Sequence, residues 1–176
     1  MSKIFQPPGA PFDFQYQDGV ENLLFRSSPN VTTSSLSLAT LLLVPIPANT
    51  WNTDGKNLDF IVLGNLAGVA GSKRIVAFID LGLASQQIIF DSGSLAINNQ
   101  NYSLRGNVFR LLTTNYHAHT HYFTYPFNSI TVITSAGGVV QNNTFDPTID
   151  HNFAIQALVT NAADNVSVIV CRGSFA

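Results

Sequence analysis

Charged side chains are scarce in this sequence. Only 10 % of its residues are Asp, Glu, Lys or Arg, and Glu21 is the single glutamate, whereas an average soluble domain has about 25 % charged residues. The formal net charge of -2 offers no basic footprint, so we expect neither nucleic acid nor a membrane surface as a partner. So weakly charged a surface must consist of Ser, Thr, Asn and Gln or be covered by neighbours, and both solutions are typical of β proteins in large assemblies.

Cysteine is nearly absent, and long apolar runs are missing. Cys171 stands alone, which excludes an intrachain disulfide framework, and its place in an apolar run predicts a buried thiol acting as a small hydrophobe. The longest apolar run, Leu41–Ile46, is interrupted by proline and is far shorter than the roughly 18 residues of a membrane-spanning helix. The first residues lack the apolar segment of a signal peptide. We therefore expect a protein made and folded in a cytoplasm.

Catalytic sequence motifs are absent as well. The sequence contains no G-x-S-x-G, no H-E-x-x-H and no C-x-x-C. The glycines between Gly64 and Gly71 join two predicted strands and open no helix, so they do not form a phosphate-binding loop. The sequence thus predicts a structural or binding protein and not an enzyme.

What the sequence does contain is a succession of short strand patterns separated by turn residues. The clearest block runs through Leu36–Ile46, Leu58–Leu63 and Lys73–Asp80, with a small-residue link at 64–72. Strand patterns recur about every ten residues with no helical period, which predicts a single all-β domain, a jelly-roll β-sandwich of two antiparallel sheets and about eight strands, over residues 36–176.

The later part of the chain carries more specific expectations. We predict a bulge or bend at Gly106, within the strand Tyr102–Leu112. A strand at Ser129–Thr134 is predicted to end at the glycines 137 and 138. The last two strands, Phe153–Thr160 and Val166–Arg172, are predicted to form a hairpin.

Residues 1–35 differ from the rest and predict an extended N-terminal arm and linker. Prolines exclude a helix there, and bulky aromatic groups make exposure to water costly. Leu23–Arg26 is a candidate short strand, and 27–35 is interpreted as a polar linker. The arm either folds back on its own domain or crosses to a neighbouring subunit. Its candidate partner-binding residues are Phe5, Pro7, Pro8, Phe12, Phe14 and Tyr16.

The most unusual local feature is a run of alternate histidines at His117, His119 and His121. On a strand these residues share one face at a spacing of about 6.8 Å. Histidine is a common ligand of transition metals, so two neighbours and a third ligand, or three copies around a symmetry axis, could bind one ion. The alternative is a polar strand face that bonds to Thr, Asn or water, with no cofactor.

Two further motifs have a structural and a functional interpretation. The segment Asp146–His151 places two carboxylates near a histidine, which suits acid–base chemistry only in a dry pocket and otherwise forms a turn before a strand. Trp51 either caps the core at a sheet edge or stacks on a ligand.

Several motifs together resemble a diffuse family of jelly-roll structural domains in the virions of tailed bacteriophages. In that family an N-x-D-G-x-x-L turn precedes a strand, a G-x-x-A step follows, and a lysine begins the next strand. The resemblance covers about residues 41 to 176. The matching stretches of this sequence are Ala48–Phe60, Gly64–Ala67, Gly71–Phe78, Phe153–Thr160 and Ala163–Val170.

The resemblance implies a non-enzymatic virion protein. Its expected partners are further copies of itself, in a homotrimer, and the major capsid protein or another virion protein. Our leading hypothesis is a capsid decoration (cement) protein that binds and stabilises the outer shell, with the arm gripping capsid protein or a neighbouring subunit. The second hypothesis is a receptor-binding, fibre-tip or tail module that recognises a host surface glycan. A third hypothesis, a cupin-like metal enzyme using the three histidines, lacks the glutamate ligand that cupins usually add, because Glu21 lies in the N-terminal segment.

Overall fold

The computed structural model describes residues 22–27, 31–51, 56–68, 71–111, 116–124, 132–141 and 146–175, of which 22–27, 110–111, 116–124 and 132–141 are described for their backbone alone. Over these ranges the chain is all strand and loop, without a helix. The eleven strands are β1 Asn22–Ser27, β2 Val31–Thr33, β3 Ala39–Ile46, β4 Asn57–Ala67, β5 Lys73–Ile79, β6 Gln87–Asp91, β7 Gln100–Leu111, β8 Tyr116–Thr124, β9 Val132–Gln141, β10 His151–Val159 and β11 Asn165–Phe175.

The strands form two antiparallel sheets. The seven-stranded sheet has the order β1-β11-β4-β7-β8-β9, with β2 also paired to β11, and the four-stranded sheet has the order β3-β10-β5-β6. In the seven-stranded sheet, β8 and β9 follow β7 and form the edge opposite β1. The predicted β-sandwich of two antiparallel sheets is confirmed.

The strand pairs are nested one inside another along the chain. β1 pairs with β11, β3 with β10, β4 with β7, and β5 with β6. A long hairpin that folds over on itself gives this nesting, and the hairpin β8–β9 is inserted between β7 and β10. The nesting supports the jelly-roll connectivity that we predicted from the sequence.

The core lies between the sheets, and the alternation of buried and less buried positions in β4 shows which face of that strand turns toward it. In β4 the residues Leu58, Phe60 and Val62 are buried, while the intervening Asp59 and Ile61 are only half-buried. Burying one such apolar side chain stabilises the fold by roughly 1.5–3 kcal/mol. The inward residues of both sheets make one continuous cluster of buried side chains, so the alternation in the sequence determines which face of each strand turns inward.

One glycine on the inner face of β4 is required by a close contact. A Cβ on Gly64 would lie 1.9 Å from the carbonyl oxygen of Ser167 and 2.5 Å from the ring of Tyr102. The Tyr102 ring occupies that space fully buried, and its hydroxyl donates a hydrogen bond to the Ser167 carbonyl oxygen at 3.0 Å. Gly64 therefore lets β4, β7 and β11 pack around a buried tyrosine whose polar atom is satisfied.

The start of the sandwich corrects our predicted boundary at residue 36. β1 confirms the candidate strand at Leu23–Arg26, but the segment 27–35, which we interpreted as a linker, contains β2. Both strands pair with β11, so the sheet domain extends back to residue 22. The short polar β2 has only three residues, too few for an alternating pattern to reveal it.

Three local predictions in the second half were wrong. β10 and β11 do not form a hairpin, because β10 lies in the four-stranded sheet and β11 in the seven-stranded one. A short loop that connects two sheets across the core has the same sequence pattern as a hairpin turn. Gly106 keeps regular register with both neighbours, so no bulge occurs there. Gly137 and Gly138 lie inside β9 and continue its pairing with β8.

Candidate interaction surface

The residues proposed from the sequence fall mostly outside the part described in detail. The arm residues Phe5 to Tyr16 lie outside the described residues. The three histidines lie on β8, as predicted, with their backbone positions described.

The strand register around β8 limits how a metal could be bound. His117 lies opposite Arg110 and Val140, His119 opposite Val108 and Gly138, and His121 opposite Gly106 and Ala136. None of these six cross-strand neighbours has a carboxylate, imidazole or thiol. Among the residues searched, which are the described ones, no group of three or more metal-ligating side chains occurs. A metal on β8 stays a prediction, and its further ligands would have to come from other residues or from another copy.

Trp51 belongs to the core. Its side chain is fully buried, with ring centroids 5.4 Å from Phe175 and 6.3 Å from His151 in edge-on geometry. Such aromatic contacts stabilise a sheet edge. The core-capping interpretation is confirmed, and a buried indole has no face left for stacking on a ligand.

The segment 146–151 forms a turn before β10, as the structural interpretation of its acidic residues predicts. The carboxylate of Asp146 accepts hydrogen bonds from the Thr148 hydroxyl at 2.7 Å and backbone N–H at 2.9 Å, and these bonds hold the pKa of Asp146 below its ordinary value. Asp150 accepts a hydrogen bond from the backbone N–H of Ala48 at 2.8 Å. Both carboxylates thus fix loop backbone and do not face each other across a pocket.

His151 joins a buried network that the sequence did not reveal. Its Nδ1 lies 3.0 Å from both carboxylate oxygens of Asp80, and its Nε2 lies 2.9 Å from the carbonyl oxygen of Asp146. Ser85 donates its hydroxyl to Asp80 at 2.6 Å. A nucleophilic serine would direct its hydroxyl at the imidazole, whereas this hydroxyl bonds to the carboxylate, so the geometry is that of a structural clamp between two loops.

A second buried ionic site lies at the start of β5. The Nζ of Lys73 lies 2.8 Å from Asn98 Oδ1, 3.2 Å from the Gly71 carbonyl oxygen and 3.4 Å from Asp164 Oδ2, and Lys73 and Asp164 are both fully buried. Three acceptors for three ammonium protons satisfy the buried charge. Lys73 therefore connects three loops.

The feature most suited to binding lies on the outer face of the four-stranded sheet. Leu43, Ala154, Phe78 and Ile88 are consecutive register partners on β3, β10, β5 and β6, and we call them the outer apolar row. The end residues Leu43 and Ile88 are 49 % and 51 % exposed, whereas Phe78 and Ala154 are buried. The central residues form, with Val76, a cluster separate from the main core.

The charges beside this row cancel each other. Arg74 and Asp91 form a two-pronged ion pair, with Arg74 Nε 2.9 Å from one carboxylate oxygen of Asp91 and Nη2 on the other. The hydrogen bond from Arg74 holds the pKa of Asp91 below its ordinary value. Desolvating this face therefore buries a matched pair and no lone charge.

A signal for this surface is present in the sequence of β5. Residues 75–79 read Ile-Val-Ala-Phe-Ile, apolar on both faces, whereas an antiparallel strand with one solvated face alternates. Such a continuous run indicates a strand covered on both sides, and Val76 and Phe78 on the outer side of β5 are already buried within the single chain.

Comparison with known proteins adds no relative. No protein-family model matches the chain, and no curated protein is significantly similar to it in sequence.

In the described ranges no helix is long and apolar enough to cross a membrane.

Proposed function

We propose that this protein is a non-enzymatic structural protein of a phage virion, a capsid decoration protein that binds the outer shell as a homotrimer. The observation that carries the assembly function is the outer apolar row. A chain with only 10 % charged residues places four apolar residues in register across an entire sheet. The virion context comes from the sequence resemblance.

The partner proposed for the outer apolar row is a neighbouring copy of this chain. A contact between copies cannot tolerate like charges facing each other, and the only ion pair described beside the row, Arg74 with Asp91, is internally neutral. In a cyclic trimer each row would meet a different surface of the next subunit, so one substitution in the row weakens all three contacts.

Shell binding is assigned to the N-terminal arm. Its aromatic residues and prolines predict an apolar, extended segment ahead of β1, the strand at one edge of the seven-stranded sheet. Extended segments of this kind bind in grooves of a partner at low conformational cost.

Co-sedimentation with phage shells tests the assignment. Replacing Phe12, Phe14 and Tyr16 with alanine should abolish binding and leave the thermal unfolding of the sandwich unchanged. The matched control replaces the neighbouring Gln15 and Gln17 with alanine, and this variant should bind like the unchanged protein. Undiminished binding by the aromatic variant would overturn the role of the arm.

A receptor-binding or fibre-tip function is the second candidate, and one observation favours it. The hairpin β8–β9 forms one edge of the seven-stranded sheet, next to β7, and loops at such edges commonly carry recognition. Glycan-array binding by the intact protein, lost on shortening this hairpin, would favour this candidate over shell decoration.

A further inference from the structure

The buried ion pair at the start of β5 connects the two sheets of the sandwich. Lys73 is the first residue of β5 in the four-stranded sheet, and Asp164 directly precedes β11 in the seven-stranded sheet. Lys73 Nζ lies 3.4 Å from Asp164 Oδ2, and both side chains are completely buried. A primary amine and a carboxyl group therefore face each other away from bulk water.

The loops around the pair hold the carboxyl group of Asp164 in one position. The backbone N–H of Gly71 donates a hydrogen bond to Oδ2 at 2.6 Å. A Cβ on Gly71 would lie 2.2 Å from Oδ2, and a Cβ on Gly68 would lie 1.9 Å from Oδ1. Glycine backbone thus packs directly against both carboxyl oxygens, and the N–H of Gly71 polarises the group as a donor in an oxyanion hole does.

The amine is held as closely as the carboxyl group. Lys73 Nζ donates hydrogen bonds to Asn98 Oδ1 at 2.8 Å and to the carbonyl oxygen of Gly71 at 3.2 Å. The third proton of the ammonium group is left for Asp164, the third neighbour. When that proton passes to the carboxylate, the lone pair of the amine takes its place and points at the carboxyl group, because the other two hydrogen bonds keep the nitrogen in its orientation.

We propose that Lys73 and Asp164 condense to form an intramolecular isopeptide bond. In this step Nζ attacks the carboxyl carbon, a C–N bond forms and one C–O bond breaks. Two of the three ammonium protons leave with that oxygen as one water molecule, and the third stays on the amide nitrogen. The two opposite charges cancel, so the reaction consumes no oxidant, reductant or further reactant.

Two physical effects favour the amide over the ion pair. Burying an ammonium and a carboxylate carries a large desolvation cost, and a neutral amide removes both charges. Groups held in contact react as if they were highly concentrated, with effective molarities of about 10⁵–10⁸ M in well-oriented intramolecular reactions. The bond would join β5 to β11 covalently, and it does not depend on the proposed function.

Mass spectrometry of the purified full chain tests the proposal. The intact mass of the unfolded protein should be lower than the mass of its sequence by that of one water molecule. After digestion with trypsin, the peptide that contains Lys73 should be joined to the peptide that contains Asp164, and an acylated Lys73 should not be cleaved.

Variants identify the carboxyl group. Asp164→Ala should show the full mass of its sequence, and its digest should contain the two peptides separately. The matched control is Asp91→Ala, which removes the carboxylate of the exposed pair with Arg74 and should keep the loss of water. The masses are measured on unfolded chains, and the branched peptide is sought in the unchanged protein, so the test does not require a stable variant.

The other outcomes overturn the proposal. The full sequence mass for the unchanged protein would leave an ordinary buried ion pair. Loss of water without a branched peptide would indicate a cyclic imide at a single residue. Loss of ammonia with a peptide branched at Asn98 would assign the amine to that carboxamide in place of Asp164.

Discussion

At the scale of single residues, the described part of the chain contains two buried ion pairs that connect loops. Lys73 with Asp164, and His151 with Asp80, are buried pairs separated widely in sequence. Each pair connects loops: the Lys73 pair lies at the start of β5, and the Asp80 pair lies directly after its last residue. None of these pairings could be predicted from the sequence, because partner choice depends on which loops the strand order brings together.

Removing the charge of Lys73 should destabilise the fold strongly. Lys73→Met leaves the carboxylate of Asp164 buried without its cation, and breaking a buried pair in this way costs about 3–5 kcal/mol. Lys56→Met is the matched control, because Lys56 is half-buried and approaches only the ring of Phe175 at 5.9 Å. Urea unfolding measures both variants, and equal small losses would show that the buried pair contributes little.

Alkaline pH should destabilise the protein through Tyr102 and Cys171. Burial raises the pKa of both groups, so the folded state favours their neutral forms. The stability that each group contributes is complete below its unfolded pKa, about 8.5 for a thiol and about 10 for a phenol, and is lost as the pH rises toward the folded pKa.

Urea unfolding between pH 7 and pH 11 checks this expectation. Above the unfolded pKa each group should lower the free energy of unfolding by about 1.4 kcal/mol per pH unit. Cys171→Ala should remove the part that begins near pH 8.5, and Tyr102→Phe the part that begins near pH 10. A flat profile to pH 11 would contradict the assignment.

At the scale of strands, the sequence predicted the elements better than their pairing. Strands β3, β4, β5, β7, β8, β10 and β11 overlap predicted segments, because alternation and turn residues act locally. The prediction that β10 and β11 form a hairpin was wrong, because the core-facing pattern of a strand does not say which sheet it joins. The outer apolar row was missed because its members come from four strands and become neighbours only through the register.

The packing of β4 against its neighbours can be tested at Gly64. Gly64→Ala forces a Cβ into the Ser167 carbonyl oxygen and the Tyr102 ring, and we expect a loss of about 3 kcal/mol from overpacking. Gly93→Ala is the control: nothing lies within 4 Å of its Cβ position, and only its positive φ of 62° opposes the substitution. That strain costs about 1–2 kcal/mol. Thermal unfolding that ranks Gly93→Ala as the more damaging change would contradict the close packing.

At the scale of the whole molecule, two opposite faces have different characters. The four-stranded sheet carries the outer apolar row and a neutral ion pair, and the seven-stranded sheet carries the exposed side chains of Arg105 and Arg172. A protein with two such faces suits an assembly in which it contacts more than one neighbour. The low charge of the sequence predicted either a surface of Ser, Thr, Asn and Gln or a surface covered by neighbours, and only the fold determines which face is apolar.

Sedimentation analysis at micromolar concentration tests the central claim most directly. The unchanged protein should sediment with three times the mass of one chain, and the double variant Leu43→Gln with Ile88→Gln should sediment as a folded monomer. Ile149→Gln, a substitution at a residue 44 % exposed in a loop, should remain a trimer. A monomer for the unchanged protein, or a trimer that survives the double substitution, would contradict the proposed role of the outer apolar row.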